Sequence, residues 1–222
     1  MGGNLVEYNL RNEIKKLIIK YPEFSCTENS KGFQIEGIFH LFAKYKDVPI
    51  RDDYEMKMLV PSNFPEELPK VYELGGRIPR GFEHVFTDDS LCLGIPMEIR
   101  KSLAENSSLV GFVDKYIVSY FYAASYYRKY GTYPYGDRKH GIPGIYQYYF
   151  ELFTTESKIL VRQLLWLIYG DNYRGHKACP CGSSVNLRNC HGEILLAIIF
   201  RPELKQQAIM DLLMIVEFEE VR

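Results

Sequence analysis

The chain has 222 residues, of which 46% are hydrophobic and 25% charged, and its formal net charge is −1. That balance permits one large domain, or a medium domain with a helical appendage, with a core that needs no staples. It lacks the overall basic bias of a nucleic-acid binder, so nucleic acid is not an expected partner, and no apolar run makes a membrane span or a signal-peptide core, so no membrane partner is expected either.

In chain order, the periodicity predicts an amphipathic helix over 5–20, capped by Asn4, carrying Leu10, Ile14 and Leu17 on its apolar stripe and ended by Pro22. Residues 32–45 alternate, with Phe33, Ile35, Ile38, Leu41 and Ala43 between polar residues, which predicts a long strand bulged at Gly37. A second alternating run covers 52–60, a proline-bounded break follows from Pro61 to Pro65, and a short strand covers 71–74. The first third therefore reads as a helix followed by an antiparallel meander of three or four strands. Residues 75–96 are irregular by propensity, yet Phe82, Val85, Phe86 and Leu91 make them too apolar for disorder. Loops of this length inside compact domains are usually functional.

Ser107-Ser108 caps a predicted helix over 109–128. The stretch GTYPYGDRKHGIPG, which contains His140, reads as a compact structural turn; it lacks the glycine spacing and the lysine-then-hydroxyl ending of a phosphate loop. Helices are predicted over 145–153 and 157–169, and a C-terminal helical segment runs from Glu193 with an interruption at Pro202. The expected domain division is 1–153 and 154–222.

Five cysteines are present, and three lie within residues 179–190. The pattern fits a reducing compartment, the cytoplasm, where thiols serve metals or catalysis. Cys179 and Cys181 are one residue apart, and Cys190 and His191 follow side by side. Three thiolates and an imidazole suit tetrahedral Zn²⁺, and four protein ligands leave no open position, so the expected ion is structural. The stretch CPCGSSVNLRNCHG resembles the SEC-C motif, a zinc-binding element known from the tail of a bacterial secretion ATPase and attached to many other proteins. Ser184 stands where that pattern has a second glycine, and His191 takes the alternative ligand identity. The resemblance implies a docking or stabilising role. Arg174, His176, Lys177 and Arg188 read as a solvated basic face.

Cys92 lies in HVFTDDSLCLGIP, after the helix, the meander and the turn Phe64-Pro65…Leu68-Pro69, and before the long helix. That order, with Leu91-Cys92-Leu93 after an irregular loop, resembles ubiquitin-conjugating enzymes over residues 5–128. Phe82-Glu83-His84 departs from the family's His-Pro-Asn, with His84 at about the asparagine position, and Trp166 is far from the family's tryptophan. The combination resembles divergent bacterial members from ubiquitin-like modification and antiviral signalling operons. The resemblance implies an α+β fold: a UBC-like antiparallel meander flanked by helices, followed here by a small helical zinc-binding appendage. It implies that Cys92 takes the C-terminus of a ubiquitin-like modifier, or of a partner protein, as a thioester from an activating enzyme and passes it to a target lysine. His84 would donate a hydrogen bond to the oxyanion or favour the Cys92 thiolate. Asp88 and Asp89 would orient or deprotonate the amine, or would simply make a turn. The alternative is a non-catalytic adaptor of the same fold; a papain-like hydrolase pairing Cys92 with His140 or His191 is a third reading.

Overall fold

The computed structural model describes residues 9–79, 82–135 and 141–220, so the turn holding His140 and the predicted helix start at 5–8 lie outside the described residues. The chain is mixed α and β and divides into two compact units, 1–94 with 102–137 and 95–101 with 138–222.

The first unit opens with α1 (Leu10–Lys20). Asn9 caps it: its backbone is extended and its side chain accepts a hydrogen bond from the Asn12 amide at 3.0 Å, while the expected cap at Asn4 lies outside the described residues. Four strands follow: β1 (Phe24–Asn29), β2 (Gly32–Tyr45), β3 (Val48–Pro61) and β4 (Lys70–Glu73). They form one antiparallel sheet in the order β1-β2-β3-β4, the meander that the alternation predicts. β1 escapes the hydrophobic pattern because it is an edge strand: only Phe24 is buried. The bulge expected at Gly37 is absent, since β2 pairs with β3 without interruption through Gly37 opposite Met56. A different constraint explains this glycine. A Cβ there would lie 2.1 Å from the Glu23 carbonyl oxygen.

The inward residues of the strands, Ile35 and Phe39 on β2 and Tyr54, Met56 and Met58 on β3, are almost completely buried. They pack on a continuous helical stretch, 109–130, built from α3 (Leu109–Phe112), a π-helical segment (Val113–Ile117) and α4 (Val118–Tyr130). Ser108 caps its start by accepting from the Gly111 amide at 3.1 Å. The Phe121 ring stacks on Tyr54 at 4.0 Å and meets Phe39 at 5.6 Å. Burying each such side chain contributes on the order of 2–3 kcal/mol.

α2 (Pro96–Glu105) falls where the sequence shows no helix start before Ser107. Proline at its first position is a start signal that the missing N–H makes harmless. The second unit contains α5 (Gly141–Phe153), α6 (Lys158–Tyr169), α7 (Gly192–Ile199) and α8 (Pro202–Glu220). Tyr149, Phe153, Leu164, Ile168, Leu195 and Leu212 form the centre of its core. Pro202 opens α8, which is the interruption the sequence shows. No helix among the described residues is long and apolar enough to cross a membrane.

Candidate functional site

Two groups of residues are candidates for a site. In the second unit, the loop after α6 closes on itself: the Cys179 amide donates to the Val185 carbonyl at 2.9 Å, and the Leu187 amide to the Lys177 carbonyl at 2.8 Å. Within that closure, Gly182 and Ser184 take left-handed backbone conformations (φ +78° and +61°), which turn Cys179 and Cys181 toward one point. Ser184, the departure from the SEC-C pattern, thus sits where glycine is the easier residue. A short 3₁₀ turn (Leu187–Asn189) then delivers Cys190 and His191 at the entry to α7.

The four ligand atoms lie within 4.8 Å of one another. Cys179 Sγ is 3.1 Å and Cys190 Sγ 3.3 Å from His191 Nδ1, and Cys181 Sγ is 3.5 Å from Cys190 Sγ. A tetrahedral ion with metal–sulfur bonds of about 2.3 Å needs sulfur–sulfur edges of roughly 3.8 Å, so the donor set fits such an ion. His191 Nε2 lies 3.0 Å from the Phe153 carbonyl oxygen. A carbonyl only accepts, so Nε2 carries the proton and Nδ1 turns its lone pair toward the sulfurs. Burial pushes the Cys179 thiol up to about 11. The Ser183 hydroxyl, 3.2 Å from Cys181 Sγ, helps hold that thiol down at about 6. Gly192 has no room for a side chain: a Cβ would meet the Leu187 carbonyl at 2.6 Å and the Tyr173 hydroxyl at 2.7 Å. The cluster could therefore hold a metal ion, tied through His191 to the end of α5.

The second site lies in the first unit, past β4. Residues 84–92 fold into a small hairpin: Val85 pairs with Leu91, and the Phe86 amide donates to the Ser90 carbonyl at 2.8 Å. The hairpin attaches to the sheet where the Leu91 amide donates to the Val71 carbonyl at 2.7 Å. His84 and Cys92 face each other across it through the backbone, the Cys92 amide donating to the His84 carbonyl at 2.9 Å. The same carbonyl accepts from the Tyr120 hydroxyl at 2.9 Å. The His84 ring packs beside Phe82 (4.9 Å) and Tyr133 (5.5 Å). Cys92 is half-buried, and burial pushes its thiol up, opposed by a hydrogen bond from the Gly94 amide. Burial, then the neighbouring Cys92 sulfur, raise the Tyr120 hydroxyl far above its ordinary range.

Asp88 and Asp89 form the tip of this hairpin. Asp88 accepts from the Ser90 hydroxyl at 2.5 Å and the Ser90 amide at 3.2 Å, and pairs with Lys70 of β4 at 2.7 Å. The Lys70 and Ser90 hydrogen bonds hold its carboxyl down at about 2, which makes it a weak acceptor for an amine proton. Asp89 occupies the left-handed turn position, φ +62°. Sequence reasoning did not find Tyr120 or Lys70. Nothing in a helix with five tyrosines marks one of them, whereas Ser183, inside the cysteine motif, was open to view. The chain matches no protein-family model and no curated protein.

Proposed function

We propose that this chain is a cysteine-dependent acyl carrier of the ubiquitin-conjugating type, with a structural zinc centre in its second unit. The observation that carries the reading is the position of Cys92. It sits on a hairpin pinned to the last strand of a helix-first, four-stranded antiparallel meander, with its backbone held by His84. In the reaction, the Cys92 sulfur attacks the activated C-terminal carboxyl of a ubiquitin-like modifier or partner protein, presented by an activating enzyme as a mixed anhydride with AMP. A thioester forms, AMP leaves, and the thiol proton passes to solvent. A target lysine amine then attacks the thioester, giving an amide and regenerating the thiol. A thiol with raised proton affinity is a strong nucleophile once ionised and a poor leaving group, which favours a thioester that outlives contact with water. In this reading the His84 ring, which packs beside Phe82 and Tyr133, must turn toward the Cys92 sulfur to donate to the oxyanion, while Asp88 and Asp89 shape the hairpin.

The zinc centre, held by Cys179, Cys181, Cys190 and His191, fixes the loop before α7 and provides a rigid docking element, as the SEC-C resemblance implies. All four positions come from protein, so the ion supplies stability rather than chemistry. A second reading, a non-catalytic adaptor of the same fold, draws support from the raised Cys92 thiol and the packing of the His84 ring against Phe82 and Tyr133.

The test is intact mass of the chain after incubation with a ubiquitin-like modifier, an activating enzyme and ATP. A mass increment removed by reductant, and absent from Cys92→Ala, is the expected result. Biological function fully retained by Cys92→Ala, with no adduct on the wild type, replaces the carrier reading with the adaptor.

A further inference from the structure

The sulfurs of the metal cluster are not equally sheltered. Cys179 is buried, at 4% exposure, and its sulfur lies 3.1 Å from His191 Nδ1. Cys181 and Cys190 are only half-buried, and their sulfurs lie 3.5 Å apart. The exposed Ser183 hydroxyl stands beside both, 3.2 Å from the Cys181 sulfur and 3.6 Å from the Cys190 sulfur. Gly182, between Cys181 and Ser183, borders open space: a Cβ there would meet no atom within 4 Å. At the start of α7, by contrast, Gly192 is crowded by the Leu187 carbonyl and the Tyr173 hydroxyl. A small solute therefore reaches Cys181 and Cys190 past Gly182 and Ser183, while Cys179 stays shielded.

Reversible cysteine oxidation needs a thiolate, access to solvent and a second thiol within reach. A bound zinc ion keeps its thiol ligands deprotonated, which is their nucleophilic form. Access and a partner thiol come from the fold, and they meet at Cys181. Closing a disulfide requires the two sulfurs to move from 3.5 Å to about 2.0 Å apart. The loop can make that movement without repacking the core, because residues 182–186 are exposed or half-buried and Leu187 is the first buried side chain after them.

We propose that Cys181 and Cys190 form a peroxide-responsive modification site, at which a reversible disulfide releases the metal and loosens the loop before α7. This rests on the reading of the cluster as a zinc centre. The Cys181 thiolate attacks one oxygen of a peroxide. The O–O bond breaks, hydroxide leaves and takes a proton from solvent, and Cys181 becomes a sulfenic acid. The Cys190 thiolate then attacks the Cys181 sulfur. The S–O bond breaks, a second hydroxide leaves and is protonated by solvent, and the disulfide forms. The two sulfurs have lost two electrons and the peroxide has gained them. Cys179 and His191 remain, half the ligand set of a tetrahedral ion. His191 stays tied to the Phe153 carbonyl at 3.0 Å, so the end of the loop keeps its anchor and the site can re-form when a dithiol reduces the disulfide.

The test uses the full chain, purified without chelator and analysed for zinc before treatment with millimolar hydrogen peroxide. Released zinc is followed with a chromogenic chelator, and the thiols are mapped by alkylation, trypsin and mass. Trypsin cuts after Lys177 and Arg188, so Cys179 and Cys181 share one peptide and Cys190 lies in the next. The expected product joins the two peptides with Cys179 left open to alkylation, and zinc is lost in step with it. Dithiothreitol with added zinc should restore the starting metal content. Cys190→His keeps four ligands and removes the second thiol, so it should load with zinc and show no reductant-reversible release. A chain that holds no zinc at the outset fails the zinc reading and this proposal with it. The proposal alone is overturned by a zinc-loaded chain that keeps its metal in peroxide, by a disulfide confined to the peptide holding Cys179 and Cys181, or by reversible release from Cys190→His. The wild-type peptide map decides between these outcomes without any variant.

Discussion

Asp211→Asn should make the second unit more stable at neutral pH and flatten its pH dependence. Asp211, on α8, is 1% exposed and lies in the core. Its carboxylate accepts from Gln207 Nε2 at 2.8 Å and from the Tyr149 hydroxyl at 2.9 Å. Arg100 Nε donates to Gln207 Oε1 at 2.9 Å, and because arginine only donates, this fixes which end of the Gln207 amide faces Asp211. Burial outweighs these two hydrogen bonds and pushes the Asp211 carboxyl up to about 6 from an ordinary 3.8. The folded chain therefore holds this proton more tightly than the unfolded chain. Below pH 3.8 both states are protonated and no penalty arises; above about 6 both are ionised and the folded state bears the whole cost. At about 1.4 kcal/mol per tenfold change in proton affinity, that cost is about 3 kcal/mol at pH 7. Asparagine is nearly the same size and never ionises. Its oxygen accepts from Gln207, and its amide donates to the Tyr149 oxygen. Trp166 on α6 is the only tryptophan, so its fluorescence during urea unfolding reports on this unit. Measured from pH 4 to 7.5, the stability difference between variant and wild type should grow by about 2.4 kcal/mol in favour of asparagine, most of it between pH 4 and 6. A difference that stays flat across that range refutes the reasoning, because every other titrating group is common to both proteins.

Purified without chelator, the chain should contain about one zinc per molecule by elemental analysis, and Cys190→Ser should lose it while the far-UV signal of the sheet persists; a chain without metal sinks the zinc reading. Gly192→Ala forces a methyl against the Leu187 carbonyl and the Tyr173 hydroxyl, so it should destabilise the second unit by roughly 1–3 kcal/mol and loosen metal retention in a chelator competition; wild-type behaviour would show that the approach relaxes freely. The rate of Cys92 alkylation by iodoacetamide, read by peptide mass, should still be climbing at pH 9, since burial holds the thiol protonated; a plateau below pH 8 would contradict that environment.

The alternation in 32–45 and 52–60 made β2 and β3 legible, because side-chain period two is a local property and one face of each strand is buried. The metal cluster was legible for a similar reason: its four ligands are close in sequence, so local turns suffice to gather them. β1 was not legible, because an edge strand with one buried residue leaves no hydrophobic period. Neither was α2, whose start signal is a proline that reads equally well as a loop breaker. The state of Cys92 was beyond the sequence altogether. A histidine eight residues away suggests an imidazole beside a thiol, but the hairpin brings the His84 backbone to Cys92 and packs its ring beside Phe82 and Tyr133. Whether a thiol is raised or lowered depends on how much water and which charges surround it. Asp52 and Asp211 make the same point from opposite directions. Asp52 pairs with two guanidiniums and stays ionised, while Asp211 is hydrogen-bonded by neutral donors in the core and holds its proton up to about 6. Composition fixes how many charges a chain carries; only the packing of distant segments decides which of them find partners, because desolvation and pairing are set by neighbours in space.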